Sequence, residues 1–152
     1  MESKIKNMTD IKIRHFTIDD YDSLIALWEE AGLPYKPQGR DNRDKMLREI
    51  TGDTAIFLVA QFNGKIIGSV LGTHDGRKGW INRLAVTPEF RHHGIAQLLV
   101  EACEKAIYDK GIEIIACLIE PENTVSLDFF KHAGYTRYDG IHYMTKRKHK
   151  DV

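Results

Sequence analysis

The sequence predicts a single α/β domain with a mixed, mainly antiparallel sheet and helices on both of its faces. Two-residue turns such as Asn63-Gly64 and Asp139-Gly140 separate short apolar segments, and such turns join antiparallel neighbours. Two other apolar segments, residues 80–86 and 112–119, are separated by a long amphipathic helical segment. A helical crossover of this kind connects parallel strands. The predicted order of elements is β-α-α-β-β-β-α-β-α-β-β.

The first third of the chain is predicted to form one strand and two helices. Residues 10–16 alternate apolar and charged side chains, which is typical of a strand with one buried face. Thr17 and Asp20 have the spacing of a capping box, so a helix begins there and ends near Gly32. A second helix begins at Asp41.

The centre of the chain is predicted to form three consecutive strands, then a helix and a buried strand. Residues 54–62 and 65–73 flank the Asn-Gly turn, and residues 80–86 follow a longer turn. Residues 94–110 place apolar side chains at helical spacing. Residues 112–119 form an almost continuous apolar run, which is typical of a buried strand.

One more helix and a hairpin are predicted for the C-terminal part of the chain. Asn123 caps the helix, which ends at Gly134. Residues 135–138 and 141–145 flank an Asp-Gly turn, so they are predicted to be the two strands of a final hairpin.

Composition and charge narrow the class of protein. Lys+Arg and Asp+Glu each number 22, and the net charge of zero disfavours a dedicated nucleic-acid-binding protein. Cys103 and Cys117 lie in apolar segments without Cys-x-x-Cys spacing, which favours buried free thiols in a reducing compartment over a disulfide. No signal core and no membrane-spanning apolar window is present, so we expect a cytoplasmic protein. We also expect one domain over residues 1–152, with flexible ends at 1–9 and 146–152.

The segment from Leu84 to Leu99 carries the strongest functional signal. An apolar strand stops before Pro88, a basic turn follows, and Gly94 opens an amphipathic helix. The first amides of a helix lack internal acceptors, and the helix dipole favours negative charge at that end. Gly94 has no Cβ, so a bulky anion can approach its backbone. The junction therefore suits a pyrophosphate, although an ordinary loop-to-helix connection contains the same elements.

This junction resembles motif A of the GNAT superfamily of N-acetyltransferases. The family pattern is Val-x-Pro-x-(x)-Arg/Gln-x-x-Gly-x-Gly/Ala, followed by an apolar helix. The matching residues are Val86, Pro88, Arg91, Gly94 and Ala96. Residues 123–135 resemble the family's motif B, in which an asparagine precedes a helix, an aromatic pair and a glycine-aromatic pair. The two blocks and the strand between them cover residues 80–135, and the predicted element order is that of the GNAT fold.

The resemblance implies that acetyl-CoA is the cosubstrate and enters a wedge between two splayed parallel strands. It also implies that the backbone of three strand residues pairs with the pantetheine arm, and that the Val86 N–H polarises the acetyl carbonyl. These strand residues are Leu84, Ala85 and Val86. By the same resemblance, the pyrophosphate is held by the amides of Arg91, His92, His93, Gly94, Ile95 and Ala96.

The resemblance to motif B places two more residues at the cofactor. Asn123 matches the asparagine that contacts pantetheine, and a plain N-cap is compatible with that contact. Phe130 replaces the tyrosine that protonates the departing thiolate in many family members. His92 and His93 have no third ligand at a useful spacing, so we expect no metal site and place both near solvent or phosphate.

The chain also departs from the family on the strand before motif A. Many members carry glutamate at the positions of Trp80 or Asn82, whereas Asn82 can orient a water molecule or the substrate but cannot accept a proton. An alkyl amine, with a pKa of about 10.4, needs a base or a water path at neutral pH. Glu120, just after the predicted strand 112–119, is the nearest carboxylate by topology and is the candidate base. The alternative is that it is a solvated loop acid.

The sequence thus predicts an acetyl-CoA-dependent N-acetyltransferase that acts on a primary amine of a small molecule or a peptide. One alternative is a CoA-binding sensor that has lost catalysis, as the Phe130 replacement suggests. Another is an interaction module that contacts RNA or ribosomes through the basic residues 146–150. The preferred hypothesis involves no nucleic-acid or membrane partner and leaves a homodimer open. The resemblance also implies an acceptor region bordered by the first two helices and the last hairpin. In this chain the residues that fall in that region are Trp28, Tyr35, Lys36, Arg40, Asp139, His142 and Tyr143.

Overall fold

The computed structural model describes residues 7–152, so the predicted flexible end at residues 1–9 lies mostly outside the described residues. The strands in this range are β1 (Lys12–His15), β2 (Ala55–Phe62), β3 (Lys65–His74), β4 (Gly79–Val86) and β5 (Ile115–Ala116). The α-helices are α1 (Tyr21–Ala31), α2 (Arg43–Thr51), α3 (Ile95–Asp109) and α4 (Thr124–His132). Short 3-10 turns cover Met8–Asp10, Ile18–Asp20 and Pro88–Phe90. This arrangement confirms the predicted mixed α/β class.

The sheet has the strand order β1-β2-β3-β4-β5. Neighbours from β1 to β4 are antiparallel, whereas β4 and β5 are parallel. The crossover through α3 thus connects parallel neighbours, as the sequence predicts. The β2–β3 turn has left-handed residues at both central positions, Asn63 (φ 50°) and Gly64 (φ 77°). This geometry matches the twist of a two-residue hairpin and confirms the predicted turn.

Two hydrophobic cores, one on each face of the sheet, hold the helices. On one face, α3 buries Leu99 and Ile107 against the sheet. On the other face, α1 buries Leu24 and Trp28. Successive residues of β2 alternate between the two cores, as the two-residue period of a strand requires. The sheet therefore has helices on both faces, as predicted.

Glycines on β3 and β4 let α3 pack very close to the sheet. A Cβ on Gly72 would lie 2.5 Å from Cys103 Sγ, and one on Gly79 would lie 2.8 Å from Ile107 Cγ2. Both distances are shorter than real Cβ contacts, so any larger residue would push the helix away. The close packing fixes α3 relative to β4, and it defines where the N-terminus of α3 lies at the end of β4.

Capping interactions set where the first two helical segments begin. Thr17 N donates to Asp20 Oδ2 (2.9 Å), which confirms the predicted capping box. The second helix begins slightly later than predicted, because Asn42 is its cap and accepts a hydrogen bond from Lys45 N (2.8 Å). Asp41, the predicted start, makes other contacts that are described below.

Two strand predictions differ from the structure. The strand predicted at residues 112–119 is regular only over β5, because the chain diverges from β4 beyond that point. The final hairpin, predicted at 135–138 and 141–145, is not formed. Ile141 is 78% exposed and Tyr143 is 71% exposed, so this segment has no packed face. A two-stranded hairpin without such a face is marginal in water, and the predicted element order therefore holds only as far as α4.

Both cysteines are free thiols, which confirms that prediction. Cys103 is buried and Cys117 is half-buried. Among residues 7–152, none of the helices combines the length and the apolar character that a membrane span requires.

Candidate active site

Strands β4 and β5 diverge soon after they meet. Their parallel ladder joins only Gly79 to Ile115 and Trp80 to Ala116. Strand β4 continues to Val86 with no partner strand on that side among the described residues. The structure therefore contains an open wedge between the two strands, a feature that the apolar periodicity of the sequence does not reveal.

The backbone of Val86 is turned toward this wedge. Thr87 N donates to Ile67 O (2.9 Å), so residue 87 is hydrogen-bonded toward β3. Because the hydrogen-bonding direction alternates along an antiparallel strand, the N–H and C=O of Val86 point to the opposite side. The Val86 C=O accepts a hydrogen bond from Arg91 Nε (3.2 Å). The Val86 N–H remains as a donor at the open edge.

A β-bulge interrupts β4 beside the wedge. The register shifts between Ser69 and Leu71 of β3, so that Arg83 and Leu84 together lie opposite a single β3 residue. Arg83 has φ 52°, a left-handed conformation. Such a conformation costs a non-glycine residue about 1–2 kcal/mol. A bulge bends its strand and increases the local twist, so this one re-aims the half of β4 that borders the wedge.

Two buried side chains hold the bulge in place. Trp28 Nε1 donates to Ser69 Oγ (3.0 Å), and Ser69 Oγ donates to Arg83 O (2.9 Å). Trp28 and Ser69 are both 0% exposed, so water does not compete for these hydrogen bonds. The carbonyl of the bulge is thereby fixed to α1 through the core.

The turn between β4 and α3 presents a row of unpaired backbone donors. Of the amides that the resemblance assigns to the pyrophosphate, that of Arg91 is already engaged, because Arg91 N donates to Pro88 O (3.3 Å). The amides of residues 92–97 find no protein acceptor within the described part of the chain, and Leu98 N is the first to bond, to Gly94 O (3.1 Å). His92 (φ 66°) and Gly94 (φ 78°) are left-handed, which lets the chain turn sharply into α3. The first turn of α3 contains no acidic side chain. Free amides at a helix N-terminus bind anions such as phosphate.

The side chains of this turn bond to its own framework. Arg91 Nε donates to Val86 O, and Arg91 Nη2 donates to Ala31 O at the end of α1 (3.3 Å). His93 Nδ1 lies 2.8 Å from Arg91 O and 3.2 Å from Phe90 O. This nitrogen carries the proton in these hydrogen bonds, because carbonyl oxygens only accept. These contacts hold the shape of the predicted phosphate turn.

The motif B residues form the N-terminus and the buried side of α4. Asn123 is the N-cap, and its Oδ1 accepts a hydrogen bond from Ser126 N (3.2 Å). Phe130 is 6% exposed, and its ring packs edge-on against Phe129 (5.1 Å) and Tyr135 (5.0 Å). Phe130 is therefore a core residue in this structure, and its contact with the cofactor stays a prediction.

A tyrosine next to Phe130 has a partner that the sequence does not indicate. Tyr135 OH donates to Glu104 Oε2 on α3 (2.7 Å). Burial, and then the hydrogen bond to Glu104, raise the pKa of Tyr135 above its usual value. The hydroxyl is thus protonated and engaged at neutral pH. The two residues are 31 positions apart, so no local pattern predicts the pair.

The two predicted proton-handling residues lie on different elements, and both are exposed. Asn82 is on β4, opposite Leu71 in the register. Glu120 is in the loop after β5, where its C=O accepts a hydrogen bond from Asn123 N (3.0 Å). The side chains of Asn82 and Glu120 make no hydrogen bond to each other, and each is accessible to solvent.

A polar cluster on the α1 side of β4 was missed by sequence reasoning. Arg83 Nη2 lies 2.7 Å from Asp41 Oδ2, and Arg83 Nη1 donates to Pro34 O. The Arg83 guanidinium also lies 5.0 Å from the centre of the Trp28 ring. Burial, and then the charge of Asp41, raise the pKa of Glu49 beside this cluster. The loop partners of Arg83 are 42 and 49 positions away in the chain, so no local signal marks this residue.

The residues predicted to surround the acceptor fall into two groups. The rings of Trp28 and Tyr35 lie 6.2 Å apart, beside the connection between α1 and α2. Asp139 instead forms an exposed ion pair with Arg137 (2.9 Å), and Tyr143 is 71% exposed. The structure thus places Trp28 and Tyr35 on the side of β4 that faces α1, and it leaves Asp139 and Tyr143 facing solvent.

A wedge between parallel strands, with an amide-lined turn at its end, is a geometry suited to an extended, phosphate-bearing cofactor. The sequence pattern of the acetyltransferase (GNAT) family matches residues 20–135, which is most of the chain. The chain belongs to this family, which confirms the resemblance drawn from the two motifs.

Relatives and solved structures agree with this membership. The chain is 34% identical over 131 residues to an acetyltransferase of Pectobacterium atrosepticum, covering 86% of this chain and 92% of that protein. Its fold is similar (TM-score 0.77, 24% identity) to PaiA N-acetyltransferase from Thermoplasma acidophilum in complex with coenzyme A, over 86% of this chain and 92% of that one. It is also similar (TM-score 0.77, 20% identity) to an aminoglycoside acetyltransferase from an uncultured soil metagenomic sample in complex with sisomicin, over 92% of this chain and 98% of that one.

Proposed function

We propose that the protein is an acetyl-CoA-dependent N-acetyltransferase whose acceptor is a primary amine of a small molecule or a peptide. The observation that carries this proposal is the open edge of β4 leading into the amide-lined turn at the start of α3. The edge offers backbone groups to a pantetheine arm, and the turn offers unpaired N–H groups to a pyrophosphate. The relative from Pectobacterium atrosepticum is an acetyltransferase, and the similar Thermoplasma acidophilum structure contains coenzyme A, which supports this cofactor.

In this proposal the cofactor lies along the wedge. The amides of residues 92–97 hold the pyrophosphate, and the strand backbone from Leu84 through Ala85 to Val86 pairs with pantetheine. The Val86 N–H donates to the thioester carbonyl. As the amine attacks, that carbonyl oxygen gains negative charge, and a preorganised N–H stabilises it. The bulge contributes because it sets the direction of β4 at this point.

The transfer requires the amine to lose a proton. A primary alkyl amine has a pKa of about 10.4, so it is mostly protonated at neutral pH. Glu120 accepts the proton, directly or through a water molecule that Asn82 orients. The free amine then attacks the thioester carbon, the C–N bond forms and the C–S bond breaks, and the nitrogen loses its second proton to water as the amide forms. CoA leaves as a thiolate, whose conjugate thiol has a pKa of about 8.5 and regains its proton from water, so the reaction proceeds without the acid that Phe130 replaces.

Binding and turnover measurements test the proposal. Isothermal titration with acetyl-CoA is expected to show saturable binding. Release of free thiol is then followed over a panel of amines that includes an aminoglycoside, a polyamine, a lysyl peptide and a peptide N-terminus. Release that depends on one class of amine supports the proposal. Absence of acetyl-CoA binding contradicts it.

Gly94→Glu is the sharpest variant, because it places a side chain and a negative charge at the proposed pyrophosphate site. We expect the affinity for acetyl-CoA to fall by about 100-fold, which corresponds to about 2.7 kcal/mol. Gly140→Glu is the matched control, since Gly140 (φ 87°) is also left-handed and lies in the C-terminal segment. The control should bind acetyl-CoA like the unmodified protein, and equal binding by Gly94→Glu contradicts the proposed site.

A second candidate function is a CoA-binding sensor without catalysis. One observation favours it: the position that protonates the thiolate in many family members holds the buried Phe130. The sensor predicts acetyl-CoA binding with no thiol release from any amine of the panel, so the same two measurements separate the two functions.

A further inference from the structure

We propose that Arg83 is a positioning residue that ties the loop between α1 and α2 (residues 32–42, the α1–α2 loop) to the acetyl-donor strand β4. The inference rests on the proposed acetyl transfer and adds a residue to which neither motif points. The backbone of Arg83 lies in the β4 bulge, and its side chain reaches the α1–α2 loop. A single residue therefore links the position of the cofactor to that of the acceptor.

The amine must approach the wedge from the α1 side of the sheet. On the opposite face, a Cβ on Gly68 would lie 2.9 Å from Leu99 Cδ1, and one on Gly72 would lie 2.5 Å from Cys103 Sγ. There is no room for an acceptor beneath α3. On the α1 side, β4 is bordered by the α1–α2 loop, whose Pro34 and Asp41 contact Arg83. This loop is therefore positioned to hold an acceptor beside the acetyl group.

The backbone of Arg83 belongs to the donor side of the site. Its C=O accepts the hydrogen bond from Ser69 Oγ (2.9 Å), and the residues that follow, Leu84 to Val86, form the open edge. Arg83 is left-handed (φ 52°), a conformation that glycine adopts without cost and arginine does not. The contacts of the arginine side chain offset that cost, which gives a physical reason for this residue at the bulge.

The side chain of Arg83 belongs to the acceptor side. Its Nη2 lies 2.7 Å from Asp41 Oδ2, and its Nη1 donates to Pro34 O. Asp41 Oδ2 also accepts a hydrogen bond from Lys36 N (2.7 Å), and Asp41 O accepts one from Tyr21 OH (2.8 Å). The side chains of Arg83 and Asp41 are only 13% and 9% exposed, so solvent screens the pair weakly. Arg83 thus anchors the loop through a shielded, charge-assisted contact.

Arg83→Gly separates the two roles of the residue. Glycine keeps the left-handed bulge and removes the contacts to the loop. We expect the KM of the acceptor amine to rise by about tenfold or more, as loss of a charge-assisted hydrogen bond does. The dissociation constant of acetyl-CoA should change by less than about twofold. Ser69→Ala should instead weaken the binding of acetyl-CoA more than it raises the KM of the acceptor amine. This variant releases the bulge carbonyl and leaves the loop contacts of Arg83 in place.

Two further variants control for the loss of charge. Arg83→Lys retains the cation but cannot donate in the forked geometry that reaches both Pro34 and Asp41, so its acceptor KM should lie between those of the unmodified protein and the glycine variant. Arg77→Gly removes an exposed arginine from the turn between β3 and β4 and should leave both the acceptor KM and the dissociation constant of acetyl-CoA unchanged. If Arg83→Gly does not fold, Arg83→Lys still allows the change in acceptor KM to be compared with the change in the dissociation constant of acetyl-CoA.

Hydrogen exchange tests the assignment without turnover. Lys36 N and Asp41 N are both hydrogen-bonded within the α1–α2 loop, and we expect them to exchange about tenfold faster in Arg83→Gly. If no amine is acetylated by the unmodified protein, the proposed function fails, whereas the exchange rates still decide whether Arg83 holds the loop. If the exchange rates of Lys36 N and Asp41 N are the same in Arg83→Gly and in the unmodified protein, the assignment is overturned. It is also overturned if Arg83→Gly weakens the binding of acetyl-CoA as much as it weakens the binding of the acceptor amine.

Discussion

The buried hydroxyl of Ser69 satisfies two groups that come from different parts of the fold. It accepts from Trp28 Nε1 (3.0 Å) and donates to the carbonyl of Arg83 (2.9 Å). A buried polar group that loses its partner costs about 1–3 kcal/mol. Because one oxygen atom serves both partners, the arrangement of helix α1, strand β3 and the bulge is strongly favoured over any in which they separate. The bulge carbonyl beside the wedge is thus held by a hydroxyl that also binds α1.

Glu120→Gln tests whether the Glu120 carboxylate is the proposed base. We expect kcat near pH 7 to fall by about 100-fold, within the usual range for loss of a general base. The difference should narrow as the pH approaches about 10, where the amine is already largely unprotonated. The pH dependence of kcat measures this effect. The affinity for acetyl-CoA should not change, because Glu120 lies outside the amide-lined turn.

Glu122→Gln, in the same exposed loop, is the control for this experiment and should leave the pH profile unchanged. If Glu120→Gln also leaves it unchanged, Glu120 is not the base. The proton then leaves through water, and Asn82→Ala should cause the larger loss of kcat.

Strand β4 and helix α3 form the structural unit on which the site is built. Arg91 bonds to Val86 O at one end of the unit, and Gly79 contacts Ile107 of α3 at the other. The amide-lined turn is the short connection between the two elements. Its position relative to the open edge therefore depends on how closely α3 packs against the sheet.

Gly72→Ala tests this close packing. The new Cβ would lie 2.5 Å from Cys103 Sγ and 3.3 Å from Ile107 Cδ1, and both of these side chains are 0% exposed in the core beneath α3. We expect a loss of about 1–3 kcal/mol in the free energy of unfolding, as for other overpacked cores. Gly52→Ala is the matched control, because the nearest atom to its added Cβ would be 3.6 Å away. Urea denaturation of the two variants gives the comparison, and equal stabilities would contradict the packing argument.

The elements that sequence reasoning predicted well are those with short-range causes. The Asn63-Gly64 turn and the capping interaction between Thr17 and Asp20 are formed by residues at most three positions apart. The bulge at Arg83 depends on partners in α1, β3 and the α1–α2 loop, and such partners leave no local pattern. The residues after α4 flank an Asp-Gly turn as the strands of a hairpin do, but in the structure they have no surface to pack against.

The same distinction applies to the candidate site. The amide-lined turn was predictable because its backbone geometry follows from Pro88 and Gly94 in the local sequence, whereas the binding of phosphate there stays a prediction. The Arg83–Asp41 ion pair and the Tyr135–Glu104 hydrogen bond were not predictable. Each joins side chains that only the folded chain brings together.

At the scale of the whole molecule, β4 is shared by the two hydrophobic cores. Ile81 and Val86 belong to the core beneath α3, whereas Ala85 belongs to the core beneath α1. Both faces of the strand are therefore packed, and only its edge is open at the wedge. The Val86 N–H that we propose as the donor to the thioester is therefore held before substrate arrives, which is the condition for preorganised stabilisation of an oxyanion.

The two thiols report on the integrity of the folded molecule. Burial, and then the charge of Glu104, raise the pKa of Cys103 from 9.0 to about 12, and burial raises the pKa of Cys117 from 9.0 to about 11. The folded protein therefore retains these protons at pH values where the unfolded chain loses them. Their contribution to stability is fully present below about pH 9 and is lost as the pH rises through the folded values.

The free energy of unfolding should consequently fall as the pH rises above 9, by about 1 kcal/mol per pH unit for Cys103 alone. Urea denaturation between pH 8 and about 10.5 measures this slope. In Cys103→Ala the slope should be shallower, because one of the shifted groups is absent. Thiol labelling at pH 8 gives an independent reading, since both cysteines should react slowly in the folded protein and rapidly in urea. A slope that is equal in the variant and the unmodified protein would show that Cys103 is not buried as a protonated thiol beneath α3.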